Sequence, residues 1–429
     1  MWEDNRKKTL IKNLFLLILI LALVAGLLYA VLYVRRTTAE HDAQLTNIQA
    51  QQQQEQTVAR QESVAAIQAE YEKDLQTVAD YLPGIVCWGD SLTLGASGSI
   101  SYPYVLQKFI DTYLCDIYDF RSTIENAEDY SRLKWTDYTV GIPVVNMGAG
   151  PEDTYTILGR AGVIPYVTAE AVTVPAGTEP IPIRFVSQSG KSVAPLTGGS
   201  AGVNDVSIGG ITGALEIDAS SIGSGGTTGY RFTRSEPGSE QSIPAGTVIR
   251  TAATDEYRDY LHIVCVGTYG SYDSADDLVR QTKELLARQT KNTDRYIVLG
   301  LCSVKGYTQS AYELDMIDTA MMQAFGNRYI NVRKYLSGDG FADAGLSKTY
   351  DDSIAISINA VPPSFLSSAG SVELNGKANR LIGELIFRRM DSLGYFDEIN
   401  EELSISETTK QILKDDPQYF TRIIENTIK

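Results

Sequence analysis

The chain has 429 residues, enough for more than one domain and for a core of ordinary size. Hydrophobic residues make up 43% and charged residues 21%, a mixture that excludes an intrinsically disordered polymer. The formal net charge is −16, and residues 1–36 alone carry six Lys/Arg against two Asp/Glu, so the remainder stands at −20. A body this acidic repels nucleic acid at long range, and no nucleic-acid partner is expected.

Residues 1–13 read as a short cytoplasmic tail. From Leu14 to Val34 run 21 residues without a charge, dominated by Leu, Ile, Val and Ala. At a rise of about 1.5 Å per residue this stretch crosses the ~30 Å hydrocarbon layer of a bilayer. It is longer than the ~7–15 apolar residues of a secretory signal, and no small-x-small cleavage site follows, so the spacing predicts an uncleaved signal anchor. Arg6, Lys7, Lys8 and Lys12 precede the stretch, against Arg35 and Arg36 after it. The positive-inside bias then predicts a single-pass protein of the cell membrane with a cytoplasmic N-terminus and everything beyond Arg36 outside.

Residues 35–82 read as a helical stalk, rich in Gln, Glu and Ala and without Gly or Pro before Pro83. Val64, Ile67, Tyr71, Leu75, Val78 and Leu82 recur at three- and four-residue steps, while Gln51–Gln56 interrupts the apolar repeat. A plain spacer helix fits this pattern. So does a short coiled coil, whose partner would be a second copy of the chain in a homo-oligomer.

After Pro83-Gly84 comes the apolar run Ile85-Val86-Cys87-Trp88, then Gly89-Asp90-Ser91-Leu92-Thr93. An apolar strand ending in a Gly-flanked serine is how a sheet presents a nucleophile at its carboxyl edge. Further apolar runs end in glycine at Val144-Val145-Asn146-Met147-Gly148-Ala149-Gly150, at Ile263-Val264-Cys265-Val266-Gly267 and at Tyr296-Ile297-Val298-Leu299-Gly300. Amphipathic stretches at Tyr104 to Tyr113, Asp276 to Gln289 and Ala311 to Phe325 lie between them. This alternation predicts an α/β domain with a parallel sheet. Cys87 and Cys265 fall inside the apolar runs and are expected as buried free thiols, and four scattered cysteines give neither a disulfide framework nor a metal site.

Between the second and third runs lies a segment of different composition, rich in Gly, Thr, Ser, Val and Pro. Alternation such as Ile181-Pro182-Ile183-Arg184-Phe185-Val186 predicts a β-rich insert over residues 163–256. Val174-Pro175-Ala176-Gly177-Thr178 is echoed by Ile243-Pro244-Ala245-Gly246-Thr247, which suggests related edge strands.

Taken in order, Gly89-Asp90-Ser91, the run to Gly148, Gly267-Thr268-Tyr269-Gly270 and the segment Ser371 to Gly383 resemble the blocks of the SGNH/GDSL-type hydrolases. The resemblance covers residues 83–162 and 257–395, leaving 396–429 as a helical C-terminal extension. It implies a three-layer flavodoxin-like parallel sheet, and a cell-surface polysaccharide or an ester as ligand. It implies Ser91 as the nucleophile position, and the Gly148 amide as part of an oxyanion hole. Tyr269 then stands where the family has an asparagine amide, Glu373 where it has the catalytic histidine, and Gly370 where it has the aspartate of that pair. A further literal match, Gly202-Val203-Asn204-Asp205, follows no apolar strand and reads as a turn.

The whole chain has two histidines. His41 lies in the stalk, ~60 Å from Pro83 along a helix. His262 opens the third apolar run, ~16 Å from its glycine end at ~3.3 Å per residue, and reads as a structural histidine. A serine hydroxyl without a base is a poor nucleophile. The expected function is therefore a membrane-anchored, extracytoplasmic hydrolase-like protein that is catalytically impaired and binds a surface glycan or protein partner. Two alternatives stand beside it: an active ester hydrolase using Ser91 with Glu373 as base, and a structural component of the cell envelope. No phosphate loop, dinucleotide fingerprint or calcium loop is present, and no cofactor is expected.

Overall fold

The structure is a computed structural model that describes residues 2–95, 100–117, 142–150, 152–188, 205–218, 229–302, 310–368, 371 and 373–402. The chain divides into two compact units, residues 1–73 and 74–429. Trp2–Tyr81 is one uninterrupted α-helix. Among the described residues its portion from Glu3 to Ala59 is the one stretch long and apolar enough to cross a membrane. Beyond Gly26 no Gly or Pro occurs before Pro83, which lets the helix continue from the apolar segment through the Gln-rich region. Its last turns belong to the second unit, where Val78 and Leu82 are buried, and Asn292 Nδ2 donates to Tyr81 O, satisfying a carbonyl at the helix end.

The second unit is mixed α/β. Its parallel sheet contains β1 (Ile85–Gly89), β2 (Val144–Gly148), β11 (Leu261–Cys265), β12 (Tyr296–Leu299) and β13 (Tyr329–Ile330) in the order β13-β12-β11-β1-β2. Every residue of β1 and β11 is buried, which is why these strands read as continuous apolar runs. Val86, Trp88, Val264 and Val298 pack with Leu278 and Leu285 of the helix Ala275–Leu286, and with Leu314, Ile317 and Met321 of the helix Ala311–Phe325. Cys87 and Cys265 point the other way, towards Tyr102 of the helix Tyr102–Ile117. That helix lies along Gly376–Ser392, with the Phe109 and Phe387 rings stacked 5.6 Å apart.

Residues 166–250 contain β3 (Tyr166–Thr168), β4 (Val172–Val174), β5 (Ile181–Ser187), β6 (Val206–Ile208), β7 (Ile211–Ile217), β8 (Gly229–Arg234), β9 (Gln241–Ile243) and β10 (Val248–Arg250). Six of these close into a barrel in the order β10-β3-β5-β8-β7-β6, with antiparallel pairing throughout. Its interior is filled by Tyr166, Ile183, Phe185, Val206, Leu215, Tyr230, Phe232 and Ile249, the alternate residues of each strand. The strands leading into the two echoed Pro-Ala-Gly segments pair antiparallel, with Val172 opposite Ile243 and Val174 opposite Gln241, so the two segments leave opposite ends of that ladder.

The barrel is seated on the helix Thr154–Arg160. Tyr166 Oη donates to Thr156 O at 3.0 Å, and Thr251 Oγ1 donates to Arg160 O at 2.6 Å. Cys87, Cys265 and Cys302 are free, buried thiols, and burial pushes the Cys302 thiol up to about 12. In the C-terminal region Asp397–Glu402 is helical, and the rest of the extension expected there lies outside the described residues.

Candidate functional site

The carboxyl ends of three neighbouring strands, β11, β1 and β2, are level, with Gly89 flanked in register by Gly148 and Cys265. The chain leaves each strand through a short loop, and the three loops meet. Asp90 is the N-cap of the helical turn Ser91–Leu94, and its Oδ1 accepts from the Leu92 amide at 2.9 Å. This cap turns the chain directly after β1 and places Ser91 at the start of the turn. Ser91 Oγ is hydrogen-bonded to Tyr269 Oη at 2.7 Å.

Tyr269 comes from the loop after β11. Gly267 there has φ +108, a conformation that favours glycine and redirects the chain out of the strand. The loop is tied to the one following β2, since the Thr154 amide donates to Gly270 O and the Ser271 hydroxyl donates to Asp153 Oδ2. Asp153 also caps the helix Thr154–Arg160 through Thr156. Ser91 and Tyr269 are thus held by loops with shared hydrogen bonds.

The Gly148 amide donates to Asn146 Oδ1 at 2.9 Å. Gly150, two residues on, is the glycine that packs against Ser91: a Cβ built there would lie 2.5 Å from Ser91 Cβ. Sequence reading passed over Gly150, although the pair Gly148-Ala149-Gly150 carried the signal. Glu373 is half-buried; its amide donates to Ser371 Oγ, and its carbonyl accepts from the Ser367 amide. No hydrogen bond among the described residues joins Glu373 to Ser91. Gly370 lies outside the described residues.

His262 is at the amino half of β11, opposite Val86. It is buried, its Nε2 donates to Tyr257 O at 3.2 Å, and burial together with the nearby Arg288 charge lowers its pKa to about 4.

Beneath Ser91 lies a buried charged layer that the sequence did not announce. Asp90 is fully buried and its carboxyl is pushed up to about 7 by desolvation; the Leu92 amide and the nearby Thr268 hydroxyl pull it down, while Glu152 adds to the rise. Arg160 and Glu152 form an ion pair at 2.9 Å with both side chains wholly buried. Arg160 Nη2 also reaches Gly89 O, and its guanidinium stacks over Trp88 at 5.6 Å from the ring centre. The pair therefore clamps the end of β1 to the helix that supports the barrel.

Chemically the meeting point of these loops offers a serine hydroxyl and a phenol hydroxyl, both suited to hydrogen-bonding a polar ligand. Among the described residues no group of three or more His, Cys, Asp and Glu side chains is placed to hold a metal ion. Comparison with protein-family models, curated proteins and solved structures finds no match to this chain.

Proposed function

We propose that this chain is a membrane-anchored SGNH/GDSL hydrolase-like protein whose extracytoplasmic cleft binds a cell-surface glycan or protein partner without turning over esters. The observation that carries the reading is the hydrogen bond between Ser91 Oγ and Tyr269 Oη. A hydrolase of this kind needs an imidazole or comparable base on the serine hydroxyl, and a neutral phenol is no such base. His262 is committed to Tyr257 near the amino end of its strand, and His41 lies in the first unit. The sheet order supports the family reading: numbered along the chain, the parallel strands run second, first, third, fourth, fifth, as in flavodoxin-like folds. In such sheets ligands bind at the carboxyl ends beside the strand where the order reverses, which here is β1.

The test is hydrolysis of acetyl and longer-chain aryl esters by the full chain in detergent. Turnover is expected to equal the uncatalysed rate at neutral pH and to be unchanged by Ser91→Ala. Ester turnover that disappears in Ser91→Ala would overturn the reading and restore a working nucleophile. For the orientation, protease added to intact cells should remove the part beyond Arg36 and leave the tail around Lys8 protected. A protected large domain would reverse the topology.

A further inference from the structure

At the amino-terminal edge of the sheet, away from Ser91, three arginines converge on one carboxylate. Arg250 ends β10, Arg258 lies in the turn before β11, and Arg288 follows the helix Ala275–Leu286. Arg250 contacts Asp255 directly, whereas Arg258 Nη1 and Arg288 Nη2 stop 3.9 and 3.6 Å from its Oδ1, beyond hydrogen-bond distance. Arg288 Nη2 and Arg258 Nε donate instead to the carbonyls of Thr254 and Arg288, and Arg288 Nε is buried with no partner.

Among the described residues, the neighbouring carboxylates of Glu256 and Asp259 form no ion pair with these arginines. Asp259 accepts from the Thr290 hydroxyl, and Glu256 acts on Tyr257 and Tyr260. Burial, then the charges of Arg258 and Arg250, lower the pKa of Arg288, so the cluster is electrostatically self-repelling. In a chain of net charge −16, three guanidinium charges here share the single carboxylate of Asp255. The side chains of Arg250 and Arg258 are 58% and 42% exposed, so a solute can reach them.

A carboxylate has two oxygens and one charge, too little for three planar donor forks. A tetrahedral oxyanion with up to two charges satisfies them better. We infer that Arg250, Arg258 and Arg288 form a binding site for a phosphate group, with Asp255 as the internal anion that holds the arginines together and competes with the ligand. The phosphate is either a free phosphate group or the headgroup of a phospholipid.

The experiment is calorimetric titration of the full chain, in phosphatidylcholine nanodiscs at low salt, with inorganic phosphate. Saturable binding is expected. Arg250→Gln and Arg258→Gln should each weaken it at least tenfold, and Asp255→Asn should strengthen it at least threefold. A folding defect cannot mimic that gain. Repeating the titration with phosphatidylglycerol in the discs separates the sources: competition with inorganic phosphate supports a headgroup ligand, and an unchanged isotherm supports a free phosphate group. The inference is overturned if neither the parent nor Asp255→Asn binds phosphate saturably. It also falls if the arginine variants bind as tightly as the parent, or if chloride at equal ionic strength reproduces the heat.

Discussion

Replacing Arg160 by alanine is expected to destabilise the second unit by about 3–5 kcal/mol, the usual cost of removing one partner from a buried ion pair. Both Arg160 and Glu152 side chains are wholly buried, so the stranded Glu152 carboxylate gains no water. It would also lie beside Asp90, whose carboxyl already feels its charge. The change further removes the contact with Gly89 O and the stacking over Trp88, loosening the end of β1 where Ser91 begins. Denaturant unfolding of the full chain followed by tryptophan fluorescence reads the loss. The double variant Glu152→Leu/Arg160→Met should recover most of it, because well-packed apolar side chains replace a buried pair at little cost. A loss below 1 kcal/mol in Arg160→Ala would show that water reaches Glu152.

Two buried groups are expected to give opposite pH dependences that hide one another. Asp90 is raised from 3.8 to about 7, so between these values the folded chain keeps a proton that the unfolded chain releases. Its contribution therefore falls as pH rises through that window, by about 4 kcal/mol at ~1.36 kcal/mol per unit. His262 is lowered from 6.5 to about 4, so there the unfolded chain takes up the proton first, and stability falls as pH drops. That contribution is about 3 kcal/mol by the same conversion. Between pH 4 and 6.5 the two slopes nearly cancel. Asp90→Asn keeps the oxygen that caps Leu92, and should exceed the parent by about 4 kcal/mol at pH 8 and match it near pH 4. His262→Gln should show the reverse tilt, gaining over the parent only in acid. Denaturation midpoints from pH 4 to 8 give both differences. An Asp90→Asn curve parallel to the parent's would mean that Asp90 ionises freely in the folded protein.

The central strands were legible because a parallel strand buried on both faces must be apolar throughout, as Ile85–Trp88 and Ile263–Val266 are. β13 was not, since two residues, Tyr329 and Ile330, carry no period. Alternation announced β5, with Ile183 and Phe185 inward and Arg184 outward. Closure of the barrel was not readable, because pairing of β10 with both β3 and β6 depends on registers set far along the chain. At the site, the Gly-flanked Ser91 was visible as an interrupted apolar run. Arg160 and Glu152 were invisible: two charged residues eight apart read as a solvated face, and only tertiary contacts, with the barrel on one side and Trp88 and Gly89 of β1 on the other, take them out of water.

The barrel interrupts the sheet in the chain, and that sets the order in which the protein can be made. Ile85 pairs with Leu261, so β1 leaves the ribosome long before its partner β11 exists. The barrel's own pairings lie between residues 166 and 250, so it has its complement of strands first. Until β11 arrives, the edge of apolar β1 that it covers in the finished sheet has no partner strand, the kind of edge on which chains add to one another. During synthesis this protein depends on whatever keeps that edge solitary, and the vulnerable interval ends when residue 265 has emerged.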